Sequence, residues 1–248
     1  MSRPTPRTLE VIRSQHMTPH MLRVTLGGSG LTDFPPDQES AYVKLVFPQP
    51  AEARPLMRTY TVSAQRCDEI DVDFALHAAE GPATAWALNA QPGNQILVGG
   101  PGPKKLINTD ADWFLLAGDM TALPAIKVNL AHLPEHAQGY VVLEVVHEHD
   151  VQPLNVPSGI EVHWVVNSNP AVAGSPLLDR VERLTWLPGQ PAVWAACEFH
   201  SMRALRKYFK LERQLPKNRL YISSYWKIGS TEEEHKIEKQ DDARSAQQ

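Results

Sequence analysis

The chain predicts an all-β half followed by an α/β half. Up to about residue 109, short stretches alternate apolar and polar residues; from Asp110, continuous apolar runs alternate with helical patterns. Size agrees, because 248 residues exceed one small module and suit two modest domains. The predicted boundaries are 1–109 for the first domain, 110–231 for the second and 232–248 for a polar tail. Composition is that of an ordinary globular protein, 42% hydrophobic and 21% charged, which excludes collagen-like and wholly disordered chains.

In the first half, LEVIRSQHMTPHMLRVTLG alternates on either side of a turn at Thr18-Pro19-His20. AYVKLVFP, RTYTVSA, IDVDFALHA and NQILVGGP repeat the alternation between Pro, Gly and Asp clusters. Five or six such strands predict a small closed antiparallel barrel. One helix interrupts them, GPATAWALNAQPG, opening after Gly81-Pro82 and closing before Pro92-Gly93.

In the second half, DWFLLAGD is a buried strand and TALPAIKVNLAHLP an amphipathic helix with Leu123, Ile126, Leu130 and Leu133 along one face. YVVLEVVHE and EVHWVVN are strands, SPLLDRVERLTWL a helix, AVWAACE a strand, SMRALRKYFKLERQL a helix and RLYISSYW the last strand. Continuous apolar strands separated by helices predict a parallel sheet covered on both faces. Leu106–Asp112 reads as a tight hinge. The tail STEEEHKIEKQDDARSAQQ reads as a short solvated helix, capped by Ser230 with Glu233 or Thr231 with Glu234, that frays after about Asp242.

Lys and Arg total 24 against 28 Asp and Glu, a net charge of −4. Basic and acidic side chains balance at ten each before Asp110 and stand at fourteen and eighteen from there on. No basic field marks a nucleic-acid partner. No apolar run approaches the roughly 18 residues that cross a bilayer, and the N-terminus lacks an apolar signal region. A soluble, cytoplasmic chain with no membrane partner is expected. Cys67 and Cys197 lie far apart without metal-knuckle spacing and read as buried free thiols of a reducing compartment.

Several segments carry chemistry. Arg58-Thr59-Tyr60-Thr61 lies on a predicted barrel strand, where alternation places Arg58 and Tyr60 on one face and Thr59 and Thr61 on the other. A guanidinium two residues from a ring suits a flavin nucleotide, Arg taking a phosphate and Tyr stacking on the isoalloxazine. A Thr hydroxyl or amide then reaches the flavin edge. A half-buried strand with a snorkelling Arg fits the same residues. Gly81-Pro82-Ala83-Thr84 opens a helix with small residues, and its exposed amides with the Thr84 hydroxyl suit an anion; Gly-Pro is also a common way to start any helix.

Gly118–Pro124 and Ala195–Glu198 stand at the carboxyl edge of the parallel sheet, where nucleotides bind, but GxGxxG spacing is absent. His147-Glu148-His149-Asp150 on a strand would set both imidazoles on one side, yet it ends the second α/β strand, where Glu148 or Asp150 would bond a ribose hydroxyl. No metal site is expected, and HExxH, GxSxG and Walker sequences are missing.

RTYT, DFALHxxxGPATxWA, AGDxTALPAI, a strand ending in CE before an Arg-rich helix, and SSYWKIGSTEEEHK occur in this order between Val11 and about Lys239. Together they resemble the siderophore-interacting proteins, flavin-dependent ferric-siderophore reductases of the ferredoxin-reductase-like superfamily. The resemblance implies a six-stranded antiparallel FAD-binding β-barrel followed by a nicotinamide-binding-like α/β domain with a parallel sheet. It implies that Arg58 pairs with the FAD phosphate, Tyr60 stacks on the flavin and Thr61 bonds its N5 edge. Asp73, Leu76 and His77 would line the adenosine and ribityl portion, and Gly81 to Thr84 would hold the pyrophosphate. Thr121 would touch the flavin from the second domain and Trp226 would shield its face. A basic seat for an anionic chelate is implied as well, with Lys44, Lys127 and Lys227 as candidates and Lys227 foremost.

The implied reaction passes electrons from NADH, NADPH or a ferredoxin through FAD to Fe(III) in a siderophore, releasing Fe(II), which hard oxygen chelators hold less tightly. The chain would be an oxidoreductase acting on metal ions, with a ferric siderophore and possible ferredoxin as partners and a monomeric state. A general flavin or ferredoxin-type reductase and a non-catalytic siderophore-binding protein are the rival readings.

Overall fold

The computed structural model describes residues 5–47, 55–76, 81–172 and 176–245, in two units, Met1–Lys105 and Leu106–Gln248. In the first, β1 (Arg7–Thr18), β2 (Met21–Gly27), β3 (Tyr42–Phe47), β4 (Leu56–Gln65), β5 (Glu69–Ala75) and β6 (Gln95–Gly99) close an antiparallel barrel in the order β1-β2-β5-β4-β3-β6. The predicted barrel is borne out. Alternation sends Val43, Leu45, Phe47, Val72 and Phe74 into a core shared with Leu9, Val24 and Ile96. The helix α1 (Pro82–Leu88) packs on β2, β3 and β5, burying Ala83 and Ala87.

The opposite face of β2 and β5 carries a charge ladder. Arg23 grips Asp73 through two hydrogen bonds of 2.7 and 2.8 Å, and Arg66 grips Asp71 at 2.7 and 3.0 Å. Thr25 donates to the same Asp71, and Arg13 pairs with Glu69. Bidentate pairs of this kind fix register as well as adding stability.

The second unit contains β7 (Trp113–Gly118), α2 (Leu123–Ala131), β8 (Gln138–Val145), β9 (Gly159–Val166), α3 (Pro176–Glu182), β10 (Pro191–Glu198), α4 (Phe199–Lys207), β11 (Leu220–Trp226) and α5 (Glu232–Ser245). Its five strands are parallel in the order β11-β10-β7-β8-β9, as predicted. β7 and β10 are buried along their whole length, and the order reverses between them. Gly139, with φ at 135°, lets β8 approach β7: a Cβ there would stand 1.9 Å from the Phe114 carbonyl oxygen.

Four expectations are corrected. α2 is not a one-faced helix, because Ala125, Val128 and Asn129 are buried together with Leu123, Ile126 and Leu130. Asn129 tolerates this because its Oδ1 accepts from the Ile107 amide at 2.7 Å and its Nδ2 donates to the Ala125 carbonyl at 2.9 Å.

His147 to Asp150 is not strand. β8 stops at Val145, and Glu148–Asp150 is a 3-10 turn closed by a reciprocal cap. His147 Nδ1 accepts from the His149 amide at 3.1 Å, and the Asp150 carboxylate accepts from the His147 amide at 3.0 Å. Asp150 is fully buried, so it is not presented to a ribose. Among the described residues no group of three His, Cys, Asp or Glu is arranged to hold a metal ion.

Cys67 is exposed in the β4–β5 turn, whereas Cys197 is buried at the end of β10, where burial raises its thiol pKa well above the ordinary value. The C-terminal helix is docked rather than simply solvated. Thr231 and Glu234 cap it reciprocally, His235 is 5% exposed, and Asp242 takes two bonds from Arg206, at 2.6 and 2.7 Å. Among the described residues no helix is long and apolar enough to cross a membrane.

Candidate functional site

The pairing of β3 with β4 sets Leu45 opposite Arg58, Val43 opposite Tyr60, Lys44 opposite Thr59 and Tyr42 opposite Thr61. Arg58 and Tyr60 therefore share the face of the core residues Val43 and Leu45, yet both stay partly exposed; Thr59 is exposed and Thr61 partly so. The Tyr60 ring lies 4.4 Å from Phe74 of β5, Phe74 lies 6.0 Å from Trp86 of α1, and Trp86 meets Phe47 of β3 edge-on at 6.2 Å. This chain of rings ties the Arg58-Tyr60 segment to the helix that begins at Gly81. Two motifs more than twenty residues apart become neighbours around one aromatic cluster.

Three features of that corner fit a diphosphate. α1 starts with no side-chain cap and no acidic residue in its first turn. Its leading amides, those of Ala83 and Thr84 after the N–H-less Pro82, have no acceptor within the helix. Among the described residues, space is open in front of Gly81, where an added Cβ would meet nothing within 4 Å. Thr84 is buried at 9% exposure, beside these amides. Arg58 supplies a guanidinium on the linked strand, with Nη1 donating to its neighbour's carbonyl, that of Met57, at 2.8 Å.

Other predicted residues are placed differently. The Asp73 carboxylate is engaged by Arg23 on the face of β5 opposite Phe74, away from the rings. Leu76 packs against the barrel core, and its amide donates to the His20 carbonyl. His77 lies outside the described residues.

In the α/β unit one carboxylate organises the carboxyl edge of the sheet. Asp119 directly follows β7 and is 8% exposed. Its Oδ1 accepts from the Thr121 amide at 2.9 Å and the Thr121 hydroxyl at 2.5 Å; its Oδ2 accepts from the Glu198 amide and the Trp226 indole, both at 2.8 Å. Thr121 and Trp226, both singled out from sequence, are thus held by a residue that was not. An acidic residue two before a Thr, directly after an apolar strand, is the local signal for such a turn.

Glu198 acts similarly, accepting from the amides of His200 and Ser201 at the start of α4 and from Ile228 beyond β11. Burial, with Asp119 and Glu198 nearby, pushes the Glu144 carboxyl up to about 7.

The candidate lysines are dispersed among different partners. Lys44 is on β3 opposite Thr59 and Gly99. Lys127 of α2 donates to Gln152. Lys227, which follows β11, pairs with Glu238 of α5 and stands 5.5 Å over the Phe199 ring.

Comparison with known proteins matches residues 111–229 to the siderophore-interacting protein profile, and residues 10–55 and 48–105 to that of the siderophore-interacting FAD-binding domain. The chain is 35% identical to the ferric vibriobactin reductase ViuB of Vibrio cholerae over 94% of each chain. It is 28% identical to a ferric acinetobactin reductase of Acinetobacter baumannii, covering 77% of this chain and 68% of that one. The crystal structure of the siderophore-interacting protein SipS from Aeromonas hydrophila superposes with a TM-score of 0.85 at 32% identity, covering 97% of this chain and 98% of that one.

Proposed function

The chain belongs to the siderophore-interacting protein family, and from that membership and the barrel's geometry we propose that it is an FAD-dependent ferric-siderophore reductase. The single observation that carries the site assignment is the ring chain Tyr60–Phe74–Trp86, which sets a guanidinium strand beside an uncapped helix start.

Arg58 and the amides of Ala83 and Thr84 would neutralise and orient the diphosphate, with Gly81 and Pro82 leaving room for it. Tyr60 would present its ring to the isoalloxazine, and Thr59 or Thr61 a hydroxyl or amide to its edge. When bound, FAD supplies the conversion between two-electron and one-electron transfer. The chain's residues need no general base for this; they bind, orient and seat an anionic chelate, for which Lys227 is the leading contact and Lys44 and Lys127 further candidates. Thr121 and Trp226 are further candidates to contact the flavin in this reading. NADH, NADPH or a ferredoxin donates the electrons, and the protein works as a cytoplasmic monomer.

The test is the visible spectrum of the purified protein, followed by anaerobic bleaching with NADH, NADPH and reduced ferredoxin in turn and re-oxidation by a ferric chelate. A yellow protein that bleaches and is re-oxidised with appearance of Fe(II) supports the proposal. A protein that stays colourless when supplied with FAD, or a reduced one that ignores ferric chelates, overturns it.

A further inference from the structure

We infer that Asp119 is a positioning residue, which fixes the indole of Trp226 and the hydroxyl of Thr121 at the carboxyl edge of the sheet for the flavin-contacting role proposed above. The inference rests on that role and adds to it the group that sets both side chains. Asp119 receives four hydrogen bonds from three separate chain segments. Each oxygen takes two of them, which fills the acceptor capacity of a carboxylate. The bonds run from the end of β7, past β10, to the end of β11, two strands away.

The ladder geometry brings Trp226 within reach. Cys197 of β10 pairs with Ser224, but Glu198 pairs with Trp226, so Tyr225 has no opposite residue and two residues of β11 meet one of β10. Irregularities of this kind re-aim a side chain at the end of a strand. Here Tyr225 turns edge-on to Trp194, 6.4 Å away, and the Trp226 indole donates to Asp119. At the other end, the turn Asp119–Ala122 closes on itself through the Ala122 amide, which donates to the Asp119 carbonyl at 3.0 Å. The carboxylate is therefore fixed from its own turn before it reaches Trp226.

An asparagine has the same shape but cannot replace it. One oxygen can serve one pair of donors, and the amide NH2 then faces the other pair, donor against donor. Trp226→Phe is the complementary change, removing the indole donor together with part of the ring and leaving Asp119 intact.

The experiment reads the indole N–H resonance of Trp226 in 15N-labelled, FAD-free protein, then flavin emission and steady-state reduction of a ferric tris(catecholate) in the FAD-loaded protein. Asp119→Asn is expected to shift the Trp226 resonance and speed its exchange with solvent. In the loaded protein it should change flavin emission in the same direction as Trp226→Phe, with no further change in the double variant. The kcat should fall by about tenfold, with KM for the chelate unchanged, because Asp119 does not touch the chelate.

An unshifted resonance in Asp119→Asn overturns the inference. So does a shifted resonance accompanied by wild-type emission and turnover, or additive effects of the two substitutions. A loaded wild-type protein that reduces no chelate overturns the proposed function instead, and the emission comparison alone then decides the inference.

Discussion

Lys227, directly after β11, forms an ion pair with Glu238 on α5, so the ammonium proposed to seat a chelate is already neutralised by the protein's own C-terminal helix. An anionic chelate must take Lys227 from Glu238, whereas a neutral one gains nothing by doing so. A partly exposed pair of this kind contributes about 1 kcal/mol at most. Glu238→Gln should therefore tighten binding of a triply negative ferric tris(catecholate) by roughly two- to fivefold, and Lys227→Gln should weaken it. A neutral ferric tris(hydroxamate) should bind all three proteins alike. Quenching of tryptophan emission on titration measures this, and equal catecholate affinities in Glu238→Gln and wild type would move the chelate away from Lys227.

Two buried groups make stability depend on pH in opposite directions. Burial, reinforced by the Lys239 and Lys227 charges and opposed by Glu198 and Glu238, lowers the His235 pKa to about 4. The ring shares a 2.8 Å hydrogen bond with the Ser224 hydroxyl. A histidine held neutral contributes stability that is complete above its ordinary pKa and is lost as pH falls from about 6.5 towards 4. Glu144, pushed up to about 7 by burial, contributes stability that is complete below about 4.5 and is lost as pH rises towards 7. Each contribution is at most about 3 kcal/mol. The stability of His235→Gln relative to wild type should therefore rise as pH falls through this window, and that of Glu144→Gln should rise as pH increases. Urea unfolding at pH 5 and pH 7.5 reads both, and parallel changes in the two variants would contradict the assignment.

Legibility followed range. The barrel could be read because Val43, Leu45 and Phe47 alternate within one short segment, and α1 because Gly81-Pro82 is a local stop and start. His147–Asp150 misled for the converse reason: a four-residue reciprocal cap outweighs alternation, and only local polar geometry reveals it. The docking of α5 was hidden because its contacts are polar pairs between distant residues. Lys239 donates to the Ser223 hydroxyl and the Ser224 carbonyl, and Arg206 holds Asp242, so hydropathy reads the same residues as solvated. Thr121 and Trp226 were legible as residues, but the carboxylate joining them was not, because the link needs the strand order β7-β10-β11.

Asp73 separates structural from cofactor roles. Its side chain is 4% exposed and pairs with Arg23, itself 24% exposed. Arg23→Ala leaves a buried carboxylate without that partner, and a loss of about 3 kcal/mol is expected. Replacing both residues by apolar ones of similar volume should recover much of that loss. Asp73→Asn should lower stability while leaving FAD affinity within about twofold of wild type, since its carboxylate faces away from Tyr60 and Phe74. Chemical unfolding and flavin titration on the same preparations decide this, and a large loss of FAD affinity in a stable Asp73→Asn protein would return the residue to the cofactor.

Gly81 offers a cleaner probe of the diphosphate corner than Arg58 or Tyr60, whose removal also disturbs packing. Its φ of −82° and ψ of 165° are ordinary for any residue, and an added Cβ would meet no atom of the described residues within 4 Å. Gly81→Ala should therefore leave the FAD-free protein within about 2 °C of wild type in Tm. The same methyl would stand where the diphosphate must approach the Ala83 and Thr84 amides, and FAD affinity should fall by about tenfold. Gly139→Ala is the contrasting control, since its φ of 135° and the Phe114 oxygen 1.9 Å from the new Cβ require the β7–β8 pair to separate. It should destabilise the fold whether or not FAD is bound. Calorimetry of the FAD-free proteins with fluorescence titration of FAD measures both, and unchanged FAD affinity in a fully stable Gly81→Ala protein would place the diphosphate elsewhere on the barrel.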